Sequence, residues 1–165
     1  MNHEQVVETP GGADIEAVTT ALLTASRLLV AISARSLAAV GEGVTLPQFR
    51  MLSSLSVQGP MKLSALADLL GVNPSTALRM AERLVLAQLI TRRVNPRNRR
   101  EILLGLAPAG HRVVADVTAR RHEEISQVVA RLDPEQRTAL IQALAAFTVA
   151  GGDLPATVTQ PIFFT

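Results

Sequence analysis

Seven arginines and a single glutamate lie between Asn73 and Arg100, which gives this stretch a local formal charge of +6. The rest of the chain carries nine Lys or Arg against thirteen Asp or Glu, a balance of −4, so the net charge of the whole is only +2. Guanidinium groups bind phosphate oxygens through paired N–H donors. Arginines of a hairpin tip are usually only solvated, but five within nine residues beside a capped helix favour nucleic-acid binding, with a steep salt dependence.

The side chains that could contact a duplex form two groups, one on a helix face and one at a hairpin tip. The candidates are Ser75, Thr76, Arg79 and Arg83 on the helix, and Arg97, Arg99 and Arg100 on the hairpin. Arg79 is the candidate for reading a guanine with two hydrogen bonds. Arg83 suits a phosphate, and the hairpin arginines suit a narrow minor groove.

The helix that must position the first group begins at Asn73. Asparagine is a good N-cap, and Pro74 suits the first helical position because no partner is needed for its missing N–H. Ala77, Met80, Ala81, Leu84 and Ala87 then recur at helical spacing, so the polar candidates fall on the opposite face. A helix over 74–87 would span about 21 Å, which suits a major groove.

The hairpin and the preceding helix complete a recognisable unit. Two β-like runs, 89–91 and 102–104, flank an Asn95-Pro96 turn. Upstream, Ser64 is predicted to cap a short helix over 65–70 that Gly71 terminates. A three-residue turn between this helix and the next is the helix-turn-helix spacing, although an ordinary αα-corner has the same spacing. Together with the basic hairpin it predicts a winged helix-turn-helix.

The remaining chain predicts a mainly α protein. Residues 14–45 and 107–150 are expected to be long helices with more apolar surface than one core can bury, which indicates a subunit interface. Residues 46–106 are the expected winged helix-turn-helix lobe, and 1–13 and 151–165 the expected arm and tail. The tail ends with Ile162-Phe163-Phe164, which could be disordered or dock on a neighbour.

Composition excludes several classes of function. The chain has 165 residues, about one domain, and is 48% hydrophobic. With no cysteine there is no disulfide framework or thiolate metal site, and the three histidines are too scattered to suggest a metal. No phosphate-cradling glycine loop, HExxH motif or nucleophile elbow is present, so no enzyme and no cofactor is expected. We expect no secretory signal and no membrane span, and hence a cytoplasmic protein.

The order of elements, and above all LSALADLLGVNPSTALRMAERLVLAQLITRRVNPRNRREILLGLAPAG, resembles the MarR family of bacterial transcriptional regulators over about residues 14–150. Two positions depart from that pattern. Asn98 stands where the family usually has an acid that orients a wing arginine, and Ala107 replaces the usual hydroxyl residue before the next helix.

The resemblance implies a homodimer that binds a pseudo-palindromic operator in double-stranded DNA, usually as a repressor. It also implies release by a small aromatic or phenolic effector held between the dimer helices and the DNA-binding lobe. The expected ligand-site residues are Leu29, Phe49, Arg50, Met51, His111, Arg112 and Val114. The alternatives are a ligand-independent or architectural DNA-binding protein of the same fold, and a helical interaction protein whose arginines contact an acidic partner.

Overall fold

A computed structural model describes residues 10–40, 43–96 and 98–152. The chain order is α1 (Pro10–Val40), α2 (Leu46–Gln58), β1 (Met61–Lys62), α3 (Leu63–Leu70), α4 (Pro74–Leu86), β2 (Ile90–Asn95), β3 (Asn98–Leu106), α5 (Pro108–Val129) and α6 (Pro134–Ala150). The mainly α winged helix-turn-helix is therefore confirmed. The predicted tail with Ile162-Phe163-Phe164, and most of the predicted arm, lie outside the described residues.

Short-range signals account for most helix ends. The Asp133 carboxylate accepts the Gln136 N–H at 2.8 Å, and the Gln136 side chain accepts the Asp133 N–H at 3.1 Å, so α6 starts with a reciprocal capping box. Gly71 ends α3 in the left-handed conformation, with φ 66° and ψ 35°, as its position predicts. Ala107 precedes α5 without any side-chain cap.

The predicted starts of two helices were wrong. Helix α1 begins at Pro10 rather than at Asp14, because proline suits the first helical position and the helix continues through the two glycines. Ser64 does not cap α3. That helix starts at Leu63, because Lys62 is held extended in β1 and is itself the N-cap, so Ser64 falls in the first turn.

Strand β1 was not predicted, and it completes a three-stranded antiparallel sheet in the order β1-β3-β2. Met61 pairs with Leu104 and Lys62 with Leu103, which attaches the hairpin to the start of α3. Beyond these pairs the hairpin is only two-stranded. A two-stranded ribbon in water needs additional contacts to hold one conformation.

The core of the lobe lies between α2, α3, α4 and the base of the hairpin. Met51, Leu52, Leu66 and Leu84 are almost completely buried in it. Met80, Val113 and Val114 pack against its edge. This core fixes α4 against α2 and α3, and thereby determines which face of α4 is left to solvent.

The long helices contrast with this lobe. Helix α1 packs along α5, with Ile32 and Val117 buried, and Arg35 of α1 makes a 2.7 Å ion pair with Glu124 of α5. Most of α1 is nevertheless exposed, and every residue of α6 is exposed.

Helix α1 has the length and hydropathy of a membrane-crossing helix over Gly12–Val40, a feature that the sequence interpretation overlooked. Arg27 lies near the middle of that segment, where a charge inside a bilayer costs about 3 kcal/mol. The same helix also carries the Arg35 ion pair with α5. These two charges favour a protein surface over lipid as the cover for α1.

Candidate nucleic-acid interface

The start of α4 is fixed by Asn73. Its Oδ1 accepts the backbone N–H of Thr76 at 2.8 Å, and the hydroxyl of Ser75 donates to the same oxygen at 2.8 Å. With Pro74 in the first turn, this cap confirms the predicted start of the helix. Helix α4 ends at Leu86, with Ala87 as its C-cap, one residue short of the predicted end.

The two faces of α4 separate as the apolar spacing predicts. Ala77, Ala81 and Leu84 are buried against the lobe core. Ser75, Arg79 and Arg83 are exposed, whereas Thr76 is half-buried. Arg79 is therefore presented to solvent by a helix whose opposite face is locked in place.

The Ser75 hydroxyl is less available than the sequence suggested. Because it donates its only proton to Asn73, it can offer a ligand an acceptor but no donor while the cap is intact. A phosphate oxygen can only accept a hydrogen bond, so its partner must be a donor. Pro74 has no N–H, and the N–H groups of Thr76 and Ala77 donate to Asn73. We therefore expect the backbone N–H of Ser75, rather than its hydroxyl, to face an anion.

The hairpin contains an irregularity that places its arginines. Val94 pairs with Ile102, but the next residue, Asn95, pairs with Asn98. Arg99, Arg100 and Glu101 therefore form extra length in β3 opposite the Val94–Asn95 step. Bulges of this kind bend the strand and redirect its side chains. Arg99 is exposed, as are Arg92 and Arg93 on β2, while Arg97 lies outside the described residues.

Glu101 is a residue of this surface that the sequence did not single out. Its Oε1 accepts from Lys62 Nζ of β1 at 2.6 Å, and its Oε2 accepts from Asn95 Nδ2 of β2 at 2.9 Å. Hydrogen bonds from Lys62 first, then from Asn95 and Asn98, hold the pKa of Glu101 below its usual value. A usable signal was present, since Glu101 is the only acidic residue between Leu89 and Leu106.

Arg79, Arg83 and Arg99 form no ion pair with another described residue. Among the described residues the two ion pairs are Arg35–Glu124 and Lys62–Glu101. Neither involves Arg79, Arg83 or Arg99. Because these three arginines are exposed and not paired with described acidic residues, their charge is available to an anionic partner.

The predicted ligand-site residues are spread over different surroundings. A cleft of about 330 Å³ lies between α1, α2, α3 and α5, and Phe49 and Arg50 are the two predicted residues among its walls, beside Val117 and Arg121. Met51 is in the lobe core, and Val114 packs against that core. Leu29, His111 and Arg112 are exposed and do not line this cleft.

Comparison with known proteins places this geometry in a family. The family model described as "MarR family" matches residues 44–102. The Bacillus subtilis HTH-type transcriptional repressor MdtR is 35% identical over 95 residues, which cover 58% of this chain and 61% of MdtR. The chain therefore matches less than two thirds of that curated relative.

Solved structures extend the likeness over nearly the whole chain. The crystal structure of RV1404 from Mycobacterium tuberculosis is 49% identical, with a TM-score of 0.79, and the match covers 93% of this chain and 99% of RV1404. An S. aureus MepR variant bound to an oligodeoxyribonucleotide is 19% identical, with a TM-score of 0.62, over 81% of this chain and 96% of its own, and shows the shared fold alone. The chain belongs to the MarR family.

Proposed function

We propose that this protein is a sequence-specific, DNA-binding transcriptional regulator, acting as a repressor and not as an enzyme. The observation that carries the proposal is that Arg79, Arg83 and Arg99 are exposed and form no ion pair within the described part of the chain, on elements held by the lobe core. Relatives named as transcriptional regulators or repressors support the same function. A soluble regulator of this kind would act in the cytoplasm.

In the proposed complex, the N-terminal end of α4 enters the major groove. Arg79 reads a guanine through two hydrogen bonds, and Arg83 holds a phosphate. The Thr76 side chain and the backbone N–H of Ser75 beside it bind phosphate or base edges. The hairpin reaches the adjacent minor groove with Arg97, Arg99 and Arg100, where A·T-rich segments attract arginine.

A homodimer would present two such lobes. Its scaffold would be 14–45 and 107–150, since α1 and α6 expose large apolar side chains such as Leu23, Ile141 and Phe147 that a second copy can cover. Residues 46–106 would then form the DNA-binding lobe. Two-fold symmetry would place two half-sites of a pseudo-palindromic operator about 10 bp apart, centre to centre.

Release by a small effector is the finer part of the proposal. The cleft beside Phe49 has apolar walls and the cationic residues Arg50 and Arg121, and it joins the lobe to α1 and α5. Its volume of about 330 Å³ suits a small aromatic or phenolic acid. Hydroxybenzoate is a suitable probe. Weaker DNA binding in its presence, lost in Arg50→Ala, would support this role, whereas unchanged binding across aromatic acids would count against it.

A salt titration tests the main proposal and separates its alternatives. Duplexes enriched from a random library by binding to the protein are compared with unselected duplexes of equal length. We expect the selected duplexes to bind at least about a thousandfold more tightly at physiological salt, with affinity falling steeply as salt rises. Equal affinities would indicate an architectural protein, and no duplex binding would indicate an acidic protein partner instead.

A further inference from the structure

The bulge in β3 places two adjacent arginines at the least supported part of the hairpin. Val94 and Ile102, the last regular pair before the bulge, are both more than half exposed, so hydrophobic burial holds the strands only weakly there. The sheet beyond Lys62 and Leu103 has only two strands. Something other than a core must therefore determine the direction in which the bulged segment points.

Glu101 is the residue at the base of that bulge, and its carboxylate reaches both neighbouring strands. One oxygen binds Lys62, in the part of the sheet attached to α3, and the other binds Asn95, the residue opposite the bulge. The Glu101 side chain is only 28% exposed. A carboxylate with one donor on each side resists both twisting of the ribbon and slippage of its register.

We propose that Glu101 is a positioning residue for DNA binding. Its hydrogen bonds hold the β3 bulge against β1 and β2 and thereby orient the bulged segment, which contains Arg99 and Arg100, towards the duplex. This proposal rests on the proposed function for its DNA-binding consequence. Glu101 would then provide the charged contact that orients the hairpin arginines, which the uncharged Asn98 cannot provide. Lys62 and Asn95 are the two anchors of Glu101.

Charge repulsion alone predicts the opposite effect of removing Glu101 on DNA affinity. The direction of the change in affinity therefore tests the proposal. An acid inside a phosphate-binding surface repels DNA, so its removal should strengthen binding if it has no other role. Glu82 provides the matched control. It lies on α4 one turn from Arg79, is exposed, and is the single acidic residue between Asn73 and Arg100.

The test compares Glu101→Gln with Glu82→Gln in the full chain, by amide hydrogen exchange of the free protein and by affinity for an enriched duplex. We expect Glu101→Gln to speed exchange across the hairpin and to weaken DNA binding about fivefold to tenfold, although it makes the protein more positive. Glu82→Gln should leave hairpin exchange unchanged and strengthen binding about twofold. If Glu101→Gln also leaves exchange unchanged and strengthens binding, the proposal is wrong.

A charge exchange provides the second arm. The double variant Lys62→Glu/Glu101→Lys keeps the net charge and can rebuild the pair with reversed polarity, since the Asn95 amide can also accept. Its hairpin exchange should return towards wild type relative to Glu101→Lys alone, and failure to do so would overturn the pairing. Because hydrogen exchange is measured without DNA, it tests the structural role of Glu101 even if the wild-type protein binds no duplex.

Discussion

The lobe over residues 46–106 and helix α6 contain similar apolar residues, but these are buried in the lobe and exposed in α6. In the lobe, Met51, Leu52, Leu66 and Leu84 are buried by the chain itself. In α6, Ile141 is 70% exposed and Phe147 57% exposed, and no residue is buried. Hydrophobic surface that the chain covers stabilises a fold, whereas surface that it leaves open needs another partner. The lobe therefore depends on its own core, whereas α6 leaves its apolar surface to the second copy that we propose.

The largest expected effect is a stability change inside the lobe. Leu84→Ala removes a buried side chain of α4 and should lower the free energy of unfolding by about 3 kcal/mol. Leu86→Ala, two residues later and 84% exposed, should change it by less than about 0.5 kcal/mol. Denaturant titration measures both values. Similar losses for the two variants would mean that the lobe core is not the one seen here.

The second prediction concerns α6. Ile141→Ser/Phe147→Ser should raise the dimer dissociation constant about 100-fold, because each side chain loses the gain of being buried in the interface. Analytical ultracentrifugation gives that constant, and Leu86→Ser serves as a control for an exposed apolar residue on the lobe. If the α6 variant dimerises like wild type, then α6 does not form the interface.

The third prediction separates two roles within the arginine surface. Arg79→Ala should cost about 1–3 kcal/mol on an enriched duplex and reduce the preference for it, because a guanine contact is lost. Arg97→Ala should weaken binding to enriched and unselected duplexes alike and reduce the salt slope by about 1. Competition binding at several salt concentrations measures both, and equal losses on both duplexes for Arg79→Ala would contradict base reading.

The smallest expected effect is a pH dependence of the hairpin. Because the pKa of Glu101 is lowered in the folded protein, its contacts stabilise the fold above the usual glutamate pKa and are lost as pH falls through the lowered value. Lys62 is the charged group that faces it from β1, and Arg99 lies two residues before it on β3. The side-chain NH2 resonances of Asn95 should titrate in this acidic range, and a flat response identical to that of Glu101→Gln would contradict the assignment.

Local signals in the sequence predicted much of this fold. Asn73, Gly71 and Asp133 each act through a hydrogen bond or backbone conformation within a few residues, so their positions are sufficient to predict helix ends. The apolar spacing of α4 likewise predicted which arginines face solvent. The separation of a basic lobe from the rest of the chain followed from counting charges.

The errors at β1, at the start of α3 and at Glu101 share one cause, which is contact between residues distant in the chain. Strand β1 is two residues long and exists only because Leu103 and Leu104 pair with it, and that pairing moves the α3 cap from Ser64 to Lys62. The Glu101 contact with Lys62 joins positions 39 residues apart. Met51 was expected in the ligand site, but helical spacing alone does not distinguish a cavity wall from the core.

The most direct test of the central claim is the number of protein copies and half-sites in the DNA complex. Enriched duplexes should contain two inverted half-sites about 10 bp apart, and native mass spectrometry should find two protein chains on each duplex. Deleting one half-site should reduce affinity at least about 100-fold. A single chain on each duplex, or equal affinity for intact and half-deleted sites, would contradict the paired presentation of these arginines.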